Sequence, residues 1–123
     1  MVNALRFEQI PIGPFNTSEF GTVQTEEGFR MLLAIDAIQQ VHDQTAYPAV
    51  LLATGIVDPR VSPWQASKLT ARLQAATSSG KPVLLRIDYG AGHGDGTTKT
   101  KEADEIADEY AFLFWQLGAA AAQ

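Results

Sequence analysis

Two residues could do chemistry together. Asp58 follows the apolar run Ala49-Val-Leu-Leu-Ala-Thr-Gly55, and His93 lies in the glycine-rich stretch Gly90–Gly96 that follows a second apolar run, Pro82-Val-Leu-Leu-Arg-Ile-Asp88. A carboxylate that accepts the Nδ1 proton of an imidazole fixes its tautomer and leaves Nε2 to act as general base and then acid. Glycines on either side let the backbone bend without side-chain obstruction. Each residue also has a plain structural reading. An Asp before a proline is a common turn former, because its side chain bonds nearby amides. A His among glycines can be a simple exposed loop residue, and Arg60 a solvated charge. The alternating glycines could cradle an anion, but Asp95 sits among them and no P-loop spacing is present. No metal site is predicted: there is no cysteine, and His42, expected at the end of a different helix, has no ligand spacing to His93.

The elements that must position these residues can be read from the pattern. Thr25 can cap a helix beginning at Glu26 and Glu27, whose charges suit a helix N-terminus. Phe29, Leu32, Leu33, Ile35 and Ile38 give it a broad apolar surface, which predicts a well-buried helix. The runs 49–55 and 82–88 are short and continuously apolar, as in strands covered on both faces. Between them Ser62-Pro63-Trp64-Gln65 predicts a helix start, with Ser62 as N-cap, Pro63 at the first position and Gln65 completing a capping box. Ala66, Leu69, Leu73 and Ala76 form its buried stripe and Gly80 closes it. A last amphipathic helix runs through Ala103, Ile106, Tyr110, Leu113, Phe114 and Leu117 to Gly118. Residues 1–25 read as irregular because Pro11, Gly13, Pro14 and Gly21 interrupt them, and the alanine-rich end, residues 119–123, reads as frayed.

Strand–helix–strand implies two parallel strands joined by a right-handed crossover, so the fold class is α/β. Parallel strands send their following loops to the same edge of the sheet, where functional groups of such sheets collect. Asp58 and His93 are therefore expected on one rim. An Asp after one strand and a His after the next is the chain order of the last two triad members of an α/β-hydrolase.

Composition narrows the alternatives. The chain has 123 residues, 46% of them hydrophobic and 19% charged, which suits one soluble domain. A net charge of −5 argues against nucleic-acid binding. Residues 1–15 lack the features of a signal peptide, and no apolar stretch could span a bilayer. A coding sequence starting at Met1 implies a cytoplasmic protein; a longer parent leaves a periplasmic or secreted location open.

The segment from Tyr47 to Pro63, with its Asp58-Pro-Arg60-Val61 motif, resembles the part of prolyl oligopeptidases that carries the triad Asp. Pro82–Asp88 followed by Ala91-Gly-His93-Gly is similar to the part that carries the triad His. Ile12-Gly13 to Thr17-Ser18-Glu19-Phe20-Gly21 resembles the stretch lining the proline-binding pocket. The resemblance spans residues 5–118 in uninterrupted order. It implies a partial α/β-hydrolase fold, with Asp58 orienting His93 and His93 serving as base and acid. It further implies that Arg60 holds a peptide carbonyl and that Val61 and Phe20 line the proline pocket. Asn16 stands where well-known members have a tryptophan, and Phe20 where they have a tyrosine, which loosens the expectation of strict proline specificity.

The family's Gly-x-Ser-x-Gly elbow is not in this sequence. Ser62 reads as a helix cap, and Ser78-Ser79-Gly80 as a helix end. The expectation is therefore the C-terminal part of such a peptidase domain, with about two strands of the hydrolase sheet and no propeller, inactive alone. Peptide substrate, no cofactor, and pairing with the missing upstream part or a second copy are implied. The alternatives are a free-standing, non-catalytic interaction module and, more remotely, a small metal or nucleotide binder built on the glycine loop.

Overall fold

The computed structural model describes residues 2–93 and 98–118. The part of the glycine loop after His93 and the alanine-rich end, both expected to be loosely held, lie outside the described residues.

The parallel sheet is present. Strand β1, Val50–Gly55, pairs with β2, Val83–Asp88, in a register running from Val50 opposite Val83 to Gly55 opposite Asp88. The strands are less covered than the continuous apolar runs suggested: most of their residues are half-buried, and Leu84 is 41% exposed. Two strands offer little surface to cover, and β1 pairs only with β2 among the described residues. The crossover element, numbered α3 in chain order, spans Trp64–Ala76. It buries Leu73 and Ala76 against Val41 and Val83, with Leu69, Tyr47 and Val50 packed alongside.

The capping box does not form. Pro63 is the residue just before the helix, and it is the Ser62 carbonyl, not its hydroxyl, that accepts from the Gln65 amide at 3.0 Å. The Gln65 side chain turns inward instead and is 2% exposed. The helix ends at Ala76, short of Gly80, which takes a left-handed φ of 69° in the turn before β2.

The N-terminal segment is more ordered than its prolines and glycines suggested. It forms 3-10 turns over Ala4–Gln9 and Gly13–Asn16, then a one-turn helix, α1, at Thr17–Phe20. The breakers limit each turn without preventing it. A Cβ at Gly13 would collide with the Phe7 carbonyl, so the close return of the chain requires glycine there. Phe7 and Ala4 pack on Leu32 to make a second small core.

That core belongs to α2, Glu26–Ile35, which Thr25 caps as predicted by accepting from the Gly28 amide at 3.1 Å. The helix is not well buried all round. Leu32 is fully buried, but Phe29 and Ile35 are 42% and 57% exposed, and Ile38 and His42 lie beyond its end. Asp36 stops it. Its fully buried carboxylate accepts from Ile38 and Gln39 on one oxygen and from the Leu5 amide, at 2.9 Å, on the other. One side chain thus ends the helix and ties the N-terminal turns to it.

The last helix, α4, spans Lys99–Leu117, is capped by Thr98, and ends at Gly118 with φ 72° as the sequence indicated. None of its residues is buried; Ile106, Tyr110, Leu113, Phe114 and Trp115 are all exposed. Its ties to the sheet are polar: Arg86 donates to Asp108 at 2.8 Å, and Lys101 pairs with Asp88 at 3.2 Å.

Candidate functional site

The two loops beyond the carboxyl ends of β1 and β2 are stitched together. Ile56 donates to the Asp88 carbonyl at 2.9 Å and Val57 to the Ala91 carbonyl at 3.3 Å. A side chain at Gly55 would collide with that Ala91 carbonyl, so the close approach depends on the glycine. Asp88 at the end of β2 shapes the second loop by accepting from the Gly90 amide at 2.7 Å and from Lys101. The Gly90 amide holds the Asp88 carboxyl below its usual range; desolvation opposes this, and Lys101 and Arg86 reinforce it.

The stitching brings Asp58 and His93 together. The Nδ1 of His93 lies 2.8 Å from Oδ2 of Asp58. The other carboxylate oxygen accepts from the amides of Arg60 and Val61, both at 2.8 Å. So the turn-former reading of Asp58 and its pairing with His93 are both correct, on different oxygens. The side chain of Asp58 is 9% exposed and that of His93 is 41% exposed. Desolvation opposes the charged carboxylate, but the Val61 amide, His93 and the Arg60 amide outweigh it and hold its pKa below the usual value. An ionised Asp58 accepts a proton-bearing Nδ1, which assigns the neutral imidazole the tautomer with Nε2 unprotonated.

Two cavities share Val61 and Gln65 as lining residues, and the larger of them is lined by the pair itself. One, of about 470 Å³, is lined by Asp58, His93, Gly55, Ser62, Gln65 and Ala66 among others. The other, of about 250 Å³, holds all four residues expected to contact substrate: Asn16, Phe20, Arg60 and Val61. Its remaining wall is Phe7, Ile10, Ile12 and Gln65. Phe7 meets Phe20 edge to face, with ring centres 6.0 Å apart. Sequence reasoning missed Phe7 and Ile10, because nothing local indicates that the first turns fold back to Val61. It also missed Gln65, which the capping pattern claimed.

Ser62 lines the larger cavity, yet among the described residues the imidazole makes its side-chain hydrogen bond to Asp58. Ser67, also on α3, donates to the Pro63 carbonyl at 3.1 Å, and Ser78 donates to the Gln44 carbonyl. Among the described residues no three His, Cys, Asp or Glu side chains gather as a metal site would require, and no helix is long and apolar enough to cross a membrane.

Residues 1–120 match the model of the prolyl oligopeptidase family. The chain is 34% identical over 115 residues to prolyl oligopeptidase A of Galerina marginata, covering 93% of this chain and 16% of that protein. It is 30% identical over 119 residues to the prolyl endopeptidase of Elizabethkingia meningoseptica, covering 96% of this chain and 17% of that one. A solved prolyl endopeptidase superposes with a TM-score of 0.90 at 32% identity, covering 95% of this chain and 17% of its own. Prolyl oligopeptidase B of Galerina marginata, solved with a 35-residue hydrolysis and macrocyclization substrate, superposes at 0.85 with 26% identity, over 96% of this chain and 17% of its own. The chain spans about one sixth of the length of these relatives. Its parallel strands, crossover helix and paired rim loops are part of an α/β-hydrolase fold, and the chain belongs to the prolyl oligopeptidase family as a segment of the peptidase domain.

Proposed function

We propose that this chain supplies the Asp and His of a Ser-His-Asp triad in a prolyl-oligopeptidase-like serine peptidase, the serine coming from another part of the domain. The observation that carries the reading is the 2.8 Å contact between His93 Nδ1 and Asp58 Oδ2 on the sheet rim, where Arg60 and Val61, whose amides bond Asp58, line an apolar pocket. In the reaction, Nε2 of His93 takes the serine hydroxyl proton as the serine oxygen attacks the peptide carbonyl. The imidazolium then returns a proton to the leaving amine, and a water repeats the sequence to release the acid. Asp58 stabilises the imidazolium without itself being protonated.

Val61, Phe20, Phe7 and Ile12 offer an apolar surface for a compact side chain such as proline, and Arg60 at the rim can donate to a substrate carbonyl. Asn16 makes one wall polar, which favours a pocket tolerant of residues other than proline. The chain alone carries no Gly-x-Ser-x-Gly elbow, so in isolation it is expected to be inactive; the edge of β1 that has no partner strand among the described residues is expected to pair with the upstream part of the peptidase domain or with a second copy.

The test is a chimera: Elizabethkingia meningoseptica prolyl endopeptidase with its matched segment replaced by this chain. Hydrolysis of a proline-containing peptide that disappears in His93→Ala is expected, while the purified chain alone hydrolyses neither that peptide nor a simple ester. Turnover by the chain alone that His93→Ala removes would refute the reading. A chimera that folds but has no activity would favour a non-catalytic module derived from a peptidase.

A further inference from the structure

Lys101 stands in the first turn of α4, yet its side chain reaches back across the end of β2. Its Nζ lies 3.2 Å from Oδ1 of Asp88, the same oxygen that accepts the Gly90 amide at 2.7 Å. The ammonium also occupies the open side of Gly90, where a Cβ would collide with it. Gly90 does not take a left-handed φ, so it is Lys101 and not the backbone that leaves no room for a side chain there. The next residue, Ala91, is buried, and His93 follows two positions later. The other polar ties between α4 and the sheet, from Arg86 to Asp108 at 2.8 Å and to Glu105 at 4.0 Å, involve no residue of this loop.

We infer that Lys101 is a positioning residue for the general base: it clamps the Asp88 carboxylate and the Gly90 backbone together and so fixes the turn from which His93 reaches Asp58. The inference rests on the triad reading above. Gly90 and Gly92 have no side chains by which a neighbour could grip the loop, and glycines lose the most backbone freedom on being ordered. The loop must therefore be held by its backbone, as Asp88 holds it at the Gly90 amide and Lys101 at the opposite side of the same residue. With the amide as its only partner the carboxylate could swing about its side-chain torsions; a second, charge-assisted bond to the same oxygen removes that freedom. The Lys101 side chain is half-exposed, so the pair adds little to stability, and its value lies in geometry.

Two substitutions displace the ammonium by different routes. Lys101→Met removes the charge at similar length, whereas Gly90→Ala keeps the charge and puts a methyl where the ammonium sits. In the chimera each is expected to lower kcat about three- to tenfold with KM within about twofold, because the imidazole is misplaced while the substrate pocket is untouched. In this chain, nitrogen-15 NMR should show that the proton on His93 Nδ1, held by Asp58 in the parent, exchanges faster with water in both variants. Asp108→Asn is the control. It breaks a polar tie of the same helix that does not reach the loop, so it is expected to lower the melting temperature while kcat and the His93 signals stay at parent values.

A Lys101 that merely tethers α4 would behave as Asp108→Asn does, with a lower melting temperature and an unchanged rate, and that result overturns the inference. So does a parent kcat in Gly90→Ala, or an equal loss of kcat in Asp108→Asn, which would make the seating of the whole helix responsible. Where a chimera variant does not fold, the NMR of this chain decides, and unchanged His93 signals overturn the inference. His93→Ala separates the two levels. If it abolishes turnover while Lys101→Met does not change it, only the Lys101 inference fails; if it leaves turnover intact, the triad reading fails first.

Discussion

Asp58→Asn tests the paired loops most directly, because it changes one atom in a side chain that makes three hydrogen bonds. The carboxylate binds the Arg60 and Val61 amides through Oδ1 and His93 through Oδ2, all at 2.8 Å. An asparagine keeps its carbonyl oxygen toward the two amides, so the turn survives. Its NH2 group then faces Nδ1, where a donor meets a donor. The imidazole must move away or shift its proton to Nε2, which removes the base. The lost bond is charge-assisted, worth about 1.5–3 kcal/mol when shielded. His93 is 41% exposed, so solvent reduces this to about 1 kcal/mol of folding stability. The catalytic loss is expected to be far larger, on the order of 10⁴ in kcat, as for a triad His held in the wrong tautomer. Nitrogen-15 NMR of the imidazole in this chain should show the proton on Nδ1 in the parent and on Nε2 in the variant. Peptide hydrolysis by the chimera should give the rate. A kcat within tenfold of the parent, with His93 still essential, would refute the assignment of Asp58 as the orienting group.

Gly55→Ala places a methyl against the Ala91 carbonyl, and it should lower stability by roughly 1–3 kcal/mol in a denaturant titration while separating the two loops. Asp58 and Asp88 both have carboxyls held below the usual value of 3.8. Their stabilising contribution is therefore fully present above that pH and is lost as pH falls through their lower folded values. Thermal melts should be level from about pH 5 to 7 and fall below about pH 4, with a shallower fall in Asp58→Asn. The edge of β1 left unpaired among the described residues and the exposed apolar residues of α4 predict self-association of the isolated chain, read by light scattering at micromolar concentration as a dimer. A monomer there, melting cooperatively, would show that neither surface needs a partner. Leu32, on the apolar surface of α2, is buried with Phe7 and takes no part.

Features decided by neighbours in sequence were legible before any coordinates. The two continuous apolar runs became parallel strands, Thr25 capped its helix, and Gly118 ended the last one with positive φ. The shared rim of Asp58 and His93 followed as well, because parallel strands joined by a crossover have no other way to place their following loops. What depended on a distant surface was not legible. The 3-10 turns of residues 4–16 carry Phe7 and Ile10 to the wall opposite Val61, and they are held there by Asp36, a residue far along the chain. Gln65 has the spacing of a capping box and the burial of a core residue. A pattern in sequence records which groups could bond locally, but not whether the interior offers more. The helix α4 has the period of a buried amphipathic element, yet none of its residues is buried. Periodicity reports which face prefers to leave water; only the tertiary structure provides, or withholds, the surface that would cover it.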